Sequence, residues 1–417
     1  MFLFCLIFGS ADIIHLGEIM KCIELQKDFY FVGVIDHSLR VFDVSILTEY
    51  GSSYNSYLLK TKEGIVVFEG SKAAFTDEYI EHLKTIAPLG QIKYLFVSHT
   101  EPDHSGAIDK LLDLSPEITV VACFGALANL SNIIRKPFKK IQMTPDGEII
   151  IGGYTFHFVS GLLLHWPDVM FTYIKELKTL ISCDAFGAHF ASEAILLSKE
   201  PNKSDYQKAL EYYFVNIMGP FGNYVTQACD KVEKLDIKMI CPGHGPVVDE
   251  DIKGIIGTYR RLAKQFTPIN DPKHVTIVFS SAYGYTRVMA EYLRDNFFKA
   301  GETVSYFEIS ALNYEKVRPE ILKCISSSGL VLLGSPTIVG DAVCFFYDLL
   351  SRVYWTIGQG KKASAFGDFG WSGEAVNNLS ERLGQLRFTV IPGFRWTFKM
   401  DEKGLKELAE YFERLSK

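Results

Sequence analysis

No two of the chain's 8 cysteines are spaced C-x-x-C, so it carries no zinc ribbon or rubredoxin-type knuckle of its own. Cysteines such as Cys241, inside Met239-Ile240-Cys241-Pro242, read instead as small buried hydrophobes of a reducing compartment. Positive charge is not in excess either. Lys and Arg number 43 against 49 Asp and Glu, a formal charge of −6 that leaves no basic footprint for nucleic acid. The apolar stretch Met1 to Leu16 is too short to span a bilayer and is interrupted by Asp12. It is not a secretory leader by pattern, because such a leader opens on basic residues and the first here is Lys21. An extra N-terminal segment or an extended reading frame is the expectation for residues 1–23. Internal repeats and low-complexity tracts are also missing, which excludes solenoids and fibrous arrays.

What is present is ordinary globular material: 417 residues, 48% hydrophobic and 22% charged. At roughly 100–200 residues per domain this predicts two or three domains. The first two-thirds mix short strands with helices. Strands are expected within Phe29 to Asp43 and Tyr54 to Glu69, then at Tyr94 to Ser98, Ile118 to Cys123, Glu148 to Phe158, Thr179 to Cys183 and Lys238 to Cys241. Helices are expected at Ala107 to Leu114 and Tyr206 to Ile217. Thr267 to Lys273, with two prolines, an Asn and an Asp, reads as a linker. Beyond it five strands alternate with helices: Val275 to Phe279, Val304 to Ile309, Leu330 to Gly334, Ala363 to Gly367 and Phe388 to Ile391. That alternation predicts a parallel, doubly wound sheet.

The most informative stretch is Val97-Ser98-His99-Thr100-Glu101-Pro102-Asp103-His104-Ser105-Gly106. It lies between a predicted strand end and a helix expected from about Ser105. Four potential ligands fall within six residues: one metal can take His99 and Glu101, a second Asp103 and His104. A plain polar turn capped by Asp103 rarely gathers two histidines and two carboxylates. Three further candidates sit at predicted strand ends: His165 in His-Trp-Pro-Asp, Asp184 after Leu-Ile-Ser-Cys, and His244 in Gly-His-Gly. Singly, these also read as a core histidine, a helix cap and a turn residue.

A second group of loops lies beyond the linker. Ser281-Ala282-Tyr283-Gly284-Tyr285-Thr286 follows a predicted strand and opens a helix. Its hydroxyls and backbone amides make a phosphate cradle. The missing G-x-G-x-x-G argues against a dinucleotide, and the absence of a lysine against a nucleoside-triphosphate loop. Ser335-Pro336-Thr337-Ile338 and Gly367-Asp368-Phe369-Gly370-Trp371 follow the third and fourth strands, whose ends meet at the ligand crevice of such a sheet.

The H-x-E-x-D-H loop followed by a lone His, a lone Asp and a G-H-G turn resembles the metallo-β-lactamase fold. Common hydrolases of that fold have His where this chain has Glu101. That departure, with a flavodoxin-like half behind it, resembles the flavodiiron proteins. The resemblance implies an N-terminal metallo-β-lactamase-like αβ/βα sandwich over residues 24–268 and a flavodoxin-like FMN domain over 274–417, its doubly wound parallel sheet in the order 2-1-3-4-5. It implies one iron on His99, Glu101 and His165, another on Asp103, His104 and His244, and Asp184 bridging them. Asp168 or His189 is expected to hold the imidazoles in place. The three C-terminal loops are expected to bind FMN. Asp368 stands where a small polar residue is expected, and a carboxylate there disfavours anionic reduced flavin. The activity implied is O2 reduction to water, or NO reduction to N2O. An external donor, a rubredoxin-like protein or a flavin reductase, is expected, as is a cytoplasmic head-to-tail homodimer or dimer of dimers. A two-zinc hydrolase is a rival that Glu101 and the flavin loops disfavour. A non-enzymatic electron carrier is a second rival, disfavoured by the complete ligand set.

Overall fold

The computed structural model describes residues 22–417, so the expected N-terminal segment falls outside the described residues. The chain divides into two compact units. The first comprises the described residues to Met218 together with Tyr224–Leu262, and the second comprises Gly219–Asn223 with Ala263–Lys417.

The first unit is built on two mixed sheets. The seven-stranded sheet runs in spatial order Ile23–Gln26, Phe29–Phe31, Tyr57–Thr61, Gly64–Phe68, Ile92–Val97, Thr119–Cys123 and Lys139–Met143. The five-stranded sheet runs Glu148–Ile151, Tyr154–Ser160, Met170–Ile174, Thr179–Cys183 and Met239–Pro242. Alternation along the strands assigns their two faces. Val66, Phe68, Phe96 and Val121 point between the sheets and join Phe156 and Ile181. Their neighbours Val67, Leu95, Val97 and Val120 point outward under the helices Thr76–Ile86, Ile108–Leu114 and Phe124–Ile134. This is the αβ/βα sandwich. Phe96 and Phe156 meet across its centre with ring centroids 5.0 Å apart.

Several elements differ locally from expectation. The stretch from Glu148 to Phe158 is a hairpin, broken by Gly152 and Gly153 at φ 55° and 93°. A separate helical turn, Pro102–Ser105, precedes the expected helix, which runs Ile108–Leu114; proline is pre-set for the first position of that turn. The helix Lys203–Tyr213 ends in a π turn, Phe214–Met218. The linker is shorter than expected, because Asp271–Phe279 is already strand.

The second unit has a parallel sheet in the order Thr303–Glu308, Asp271–Phe279, Ser328–Gly334, Lys362–Phe369 and Thr389–Val390, which is 2-1-3-4-5. A short strand, Phe394–Thr397, also pairs with Lys362–Phe369. Its two faces are covered by separate cores, one around Val331, Leu333 and Phe346, the other around Ile277, Leu332 and Leu408. Parallel pairing sets Phe279 opposite Gly334 and Gly334 opposite Phe366, so three loops leave the sheet side by side. No helix among the described residues is long and apolar enough to cross a membrane.

Candidate metal centre

Three strands of the first unit end at this site. His99 follows Ile92–Val97, Asp184 follows Thr179–Cys183, and His244 follows Met239–Pro242. The helical turn Pro102–Ser105 brings Asp103 and His104 to the same place. His165 comes from the loop between Tyr154–Ser160 and Met170–Ile174. All seven candidate ligands are thereby gathered, in two groups: His99, Glu101, His165 and Asp184, and Asp103, His104 and His244.

Asp184 divides its two oxygens between the groups. Oδ2 lies 3.5 Å from Nε2 of both His99 and His165. Oδ1 lies 3.0 Å from Nε2 of His104 and 3.4 Å from Nε2 of His244. Glu101 Oε2 stands 3.2 Å from His99 Nε2 and 3.0 Å from His165 Nε2. Asp103 Oδ2 is 3.2 Å from His244 Nε2, and its Oδ1 is 3.6 Å from His104 Nε2. All four histidines thus turn Nε2 toward the carboxylates.

The electrostatics follow from burial and crowding. Burial lowers the basicity of His99, but its hydrogen bonds with Asp168 and Glu101 outweigh that and hold it well above the ordinary histidine range. Burial likewise opposes, and Asp103 and Asp184 overcome, to raise His104 and to push His244 up to about 10. Burial opposes ionisation of Asp103 and Asp184, yet the facing imidazoles hold both carboxyls below their usual range.

The donor set fits a pair of metal ions. Both oxygens of Asp103 and Oδ2 of Asp184 are buried without a hydrogen-bond partner, although imidazole nitrogens stand 3.2–3.6 Å away. Lone pairs that approach one another without aligning are what ligands aimed at a common third point look like. Four imidazoles and three carboxylates with no thiolate suit non-haem iron. Cys183 also approaches His104 and Asp184, but burial keeps its thiol protonated, well above the ordinary range.

Behind the ligands the rings are held from their far sides. Asp168 Oδ1 lies 3.0 Å from His99 Nδ1, and Thr100 donates to Oδ2 through its amide at 3.0 Å and through its hydroxyl. His244 Nδ1 donates to the Ser53 carbonyl at 2.6 Å. His189 packs its ring against that of His244, with centroids 4.9 Å apart, but makes no hydrogen bond to it. Its Nδ1 meets the Ser52 hydroxyl at 2.9 Å, and the same hydroxyl lies 3.4 Å from His244 Nδ1. Ser52, Ser53 and Thr100 carry no mark of a site residue in the sequence. Nor does Asn55, whose Nδ2 donates to the Pro242 and Gly245 carbonyls and shapes the Gly-His-Gly turn. The run Ser52-Ser53-Tyr54-Asn55-Ser56, wholly buried and polar without alternation, is the available hint.

In the second unit the three loops leave neighbouring ends of the parallel sheet. The Ser281 hydroxyl accepts from the amides of Gly284 at 3.1 Å and Arg287 at 3.3 Å, curling the loop over the N-terminus of Tyr285–Lys299. Gly284 takes φ 89°, and a Cβ there would meet nothing within 4 Å, so the backbone conformation rather than space calls for glycine. Gly367 answers a different need: a Cβ there would lie 1.8 Å from the Ser335 carbonyl. The Ser335 hydroxyl accepts from Val343 N at 3.0 Å, and Thr337 N donates to the Asp368 carbonyl at 2.9 Å. Tyr283 and Trp371 leave large aromatic faces exposed, at 86% and 82%. Hydroxyls, first-turn amides and flat aromatic faces beside a parallel-sheet crevice fit a phosphorylated flavin. The exception is Asp368, a buried carboxylate that receives the Thr286 hydroxyl.

Comparison with known proteins agrees with both halves. The ODP family beta lactamase model matches residues 53–245, and the flavodoxin model matches residues 277–413. The chain is 32% identical over 405 residues to the flavo-diiron protein FprA2 of Clostridium acetobutylicum, covering 95% of this chain and 100% of that protein. It is 31% identical to a nitric oxide reductase of Moorella thermoacetica, covering 90% of this chain and 93% of that one. The crystal structure of the flavodiiron protein from Giardia intestinalis superposes with a TM-score of 0.60 at 27% identity, covering 96% of this chain and 97% of that one. With this identity sustained along nearly its whole length, and with both matching domains in order, the chain belongs to the flavo-diiron protein family.

Proposed function

We propose that this chain is an oxidoreductase that reduces O2 to water, with a diiron centre in the first unit and FMN in the second. The observation that carries the reading is the division of Asp184, one oxygen toward His99 and His165 and the other toward His104 and His244. A carboxylate so placed serves two ions at once. In this reading His99, Glu101 and His165 would hold one iron, Asp103, His104 and His244 the other, and Asp184 would serve both. Glu101 supplies an anion where a two-zinc hydrolase of this fold has a neutral imidazole, which favours iron over zinc.

Two ferrous ions and one reduced flavin together hold the four electrons that turn O2 and four protons into two waters. The residues of the chain supply the rest. Asp168 fixes the His99 ring, and the Ser53 carbonyl fixes that of His244, so neither ligand has to be ordered when a small gas arrives. His165, with its side chain 14% exposed, is the most open of the four imidazoles and marks the accessible side of the centre.

A second reading is reduction of two NO to N2O and water, which needs two electrons. It is favoured by the relative from Moorella thermoacetica that is named a nitric oxide reductase. With no C-x-x-C pair in the chain, electrons come from a separate donor, a rubredoxin-like protein or a flavin reductase. A head-to-tail homodimer, with the FMN of one subunit serving the diiron site of the other, completes the proposal. Anaerobic reduction of the iron- and FMN-loaded protein, followed by separate exposure to O2 and NO with consumption recorded, tests it. Faster turnover with O2 is expected; equal or faster turnover with NO selects the second reading, and consumption of neither gas overturns both.

A further inference from the structure

The Thr286 hydroxyl, in the first turn of Tyr285–Lys299, donates to Oδ1 of Asp368. Both side chains are buried, Asp368 to 8% exposure. No cation compensates the carboxylate among the ion pairs of the described residues. Arg287, one position beyond Thr286, is paired with Glu308 through Nε at 3.0 Å and Nη2 at 2.5 Å. Arg395, on the strand that pairs beside Asp368, donates to the Gly373 carbonyl at 2.8 Å. The Asp368 amide also points at Thr286 Oγ1, 3.4 Å away, so backbone and side chain of one residue both converge on this hydroxyl.

A helix N-terminus recruits an anion through its free amides and the helix dipole. Here a carboxylate of the protein already stands beside that N-terminus. A hydroxyl has one proton to donate. Thr286 gives it to Asp368 or to a bound phosphate, not to both. A phosphate arriving in the cradle meets a fixed negative charge and loses one of the donors that the loop offers.

We propose that Asp368 is a specificity-determining residue of the flavin site: by holding the Thr286 hydroxyl and adding negative charge beside the helix N-terminus, it reduces the preference for phosphorylated over unphosphorylated flavin. This rests on the flavin reading of the second unit. The Asp368 carboxylate engages Thr286, whereas the Ser281 hydroxyl engages the amides of Gly284 and Arg287, so the hydroxyl withheld is that of Thr286 and not that of Ser281.

The test uses the full chain freed of flavin, titrated with riboflavin and with FMN while flavin fluorescence is followed. The quantity read is the ratio of the riboflavin to the FMN dissociation constant. Asp368→Asn and Asp368→Ser are expected to raise that ratio about tenfold or more, the worth of a hydrogen bond to a charged group. Riboflavin binding, which involves no phosphate, reports that the variant is folded. Thr286→Val in the parent chain is expected to change the ratio by less than about twofold, and in the Asp368→Asn background to remove the part of the gain that the freed hydroxyl carries. An unchanged ratio in both Asp368 variants overturns the proposal and leaves the flavin reading intact. Should those variants bind neither flavin, Thr286→Val in the parent decides alone: a fall of the ratio by about tenfold shows the hydroxyl already serves the phosphate and overturns the proposal. A parent chain that binds neither compound overturns the flavin reading and the proposal with it.

Discussion

Asp168 Oδ1 meets His99 at Nδ1, 3.0 Å away, on the side of the ring opposite the Nε2 that faces Glu101 and Asp184. The same carboxylate takes the Thr100 amide at 3.0 Å. One buried side chain therefore fixes the tautomer and direction of His99 and also ties down the backbone of the loop that carries Glu101. Asp168→Ala is expected to weaken iron retention about 10–100-fold, the usual cost of losing a hydrogen-bonded support behind a histidine ligand. It also leaves the Thr100 amide without its acceptor, which costs about 1–3 kcal/mol of stability. Iron per chain after chelator challenge, read beside a thermal melt of the metal-free protein, checks the two effects separately.

Asp184 and Asp103 should behave differently on truncation. Asp184 presents an oxygen to each group of histidines, whereas Asp103 lies only against His104 and His244. Asp184→Ala is expected to empty the centre of both ions, and Asp103→Ala to lose one ion more readily than the other. Metal analysis of the two variants purified in parallel makes the comparison. Equal loss of a single ion in both would contradict the bridging role of Asp184.

The metal-free centre stores protons. His99 and His104 are held above the ordinary histidine range and His244 is pushed up to about 10. At neutral pH the folded, metal-free chain thus binds more protons here than the unfolded chain does. These three groups stabilise the metal-free fold at low pH, and their contribution fades as pH rises, for His244 through about 10. Metal affinity has the opposite sign, because each ion must displace imidazole protons. Ferrous or cobaltous ion added at pH 7 is expected to release more than one proton per chain and to bind more tightly as pH rises. Calorimetry in buffers of different ionisation enthalpy gives the number released.

The metal loop is readable in the sequence because its four donors fall between His99 and His104, and the chemistry of the residue types alone brings them together. The parallel sheet of the second unit is readable because strand and helix alternate in a fixed rhythm after the linker; its 2-1-3-4-5 order comes from the flavodoxin-like resemblance. What escapes acts through backbone or across distance. The Ser53 carbonyl supports His244 from 191 positions away, and no residue type marks a carbonyl for that task. Thr286 and Asp368 are 82 positions apart, and only the parallel sheet brings their strand ends together. By residue type His189 is as good a support as Asp168, yet the fold sets the Ser52 hydroxyl between it and His244. The helical turn Pro102–Ser105 places Asp103 and His104 in one ligand group with His244, an arrangement that an irregular loop does not announce in the sequence.

Glu101 is where this centre departs from the hydrolases its first unit resembles. Its Oε2 lies within 3.2 Å of Nε2 on both His99 and His165, so it sits in the same group as they do. The facing histidines overcome the effect of burial and hold its carboxyl below the usual range, so Glu101 is an anion at neutral pH. Three such carboxylates and one hydroxide balance two divalent ions. Glu101→His removes one of those negative charges and replaces a hard oxygen with an imidazole, which zinc accepts readily. Loaded from an equimolar mixture of ferrous and zinc ions under anaerobic conditions, the variant is expected to shift at least about tenfold toward zinc relative to the parent chain, a change of roughly 1.4 kcal/mol in relative affinity. Its flavin content should not change, because the flavin loops lie in the other compact unit. Its turnover with O2 or NO should fall with its iron content. An unchanged iron-to-zinc ratio in Glu101→His would mean that this carboxylate does not set the metal, and the distinction from a two-zinc site would then rest on the flavin loops alone.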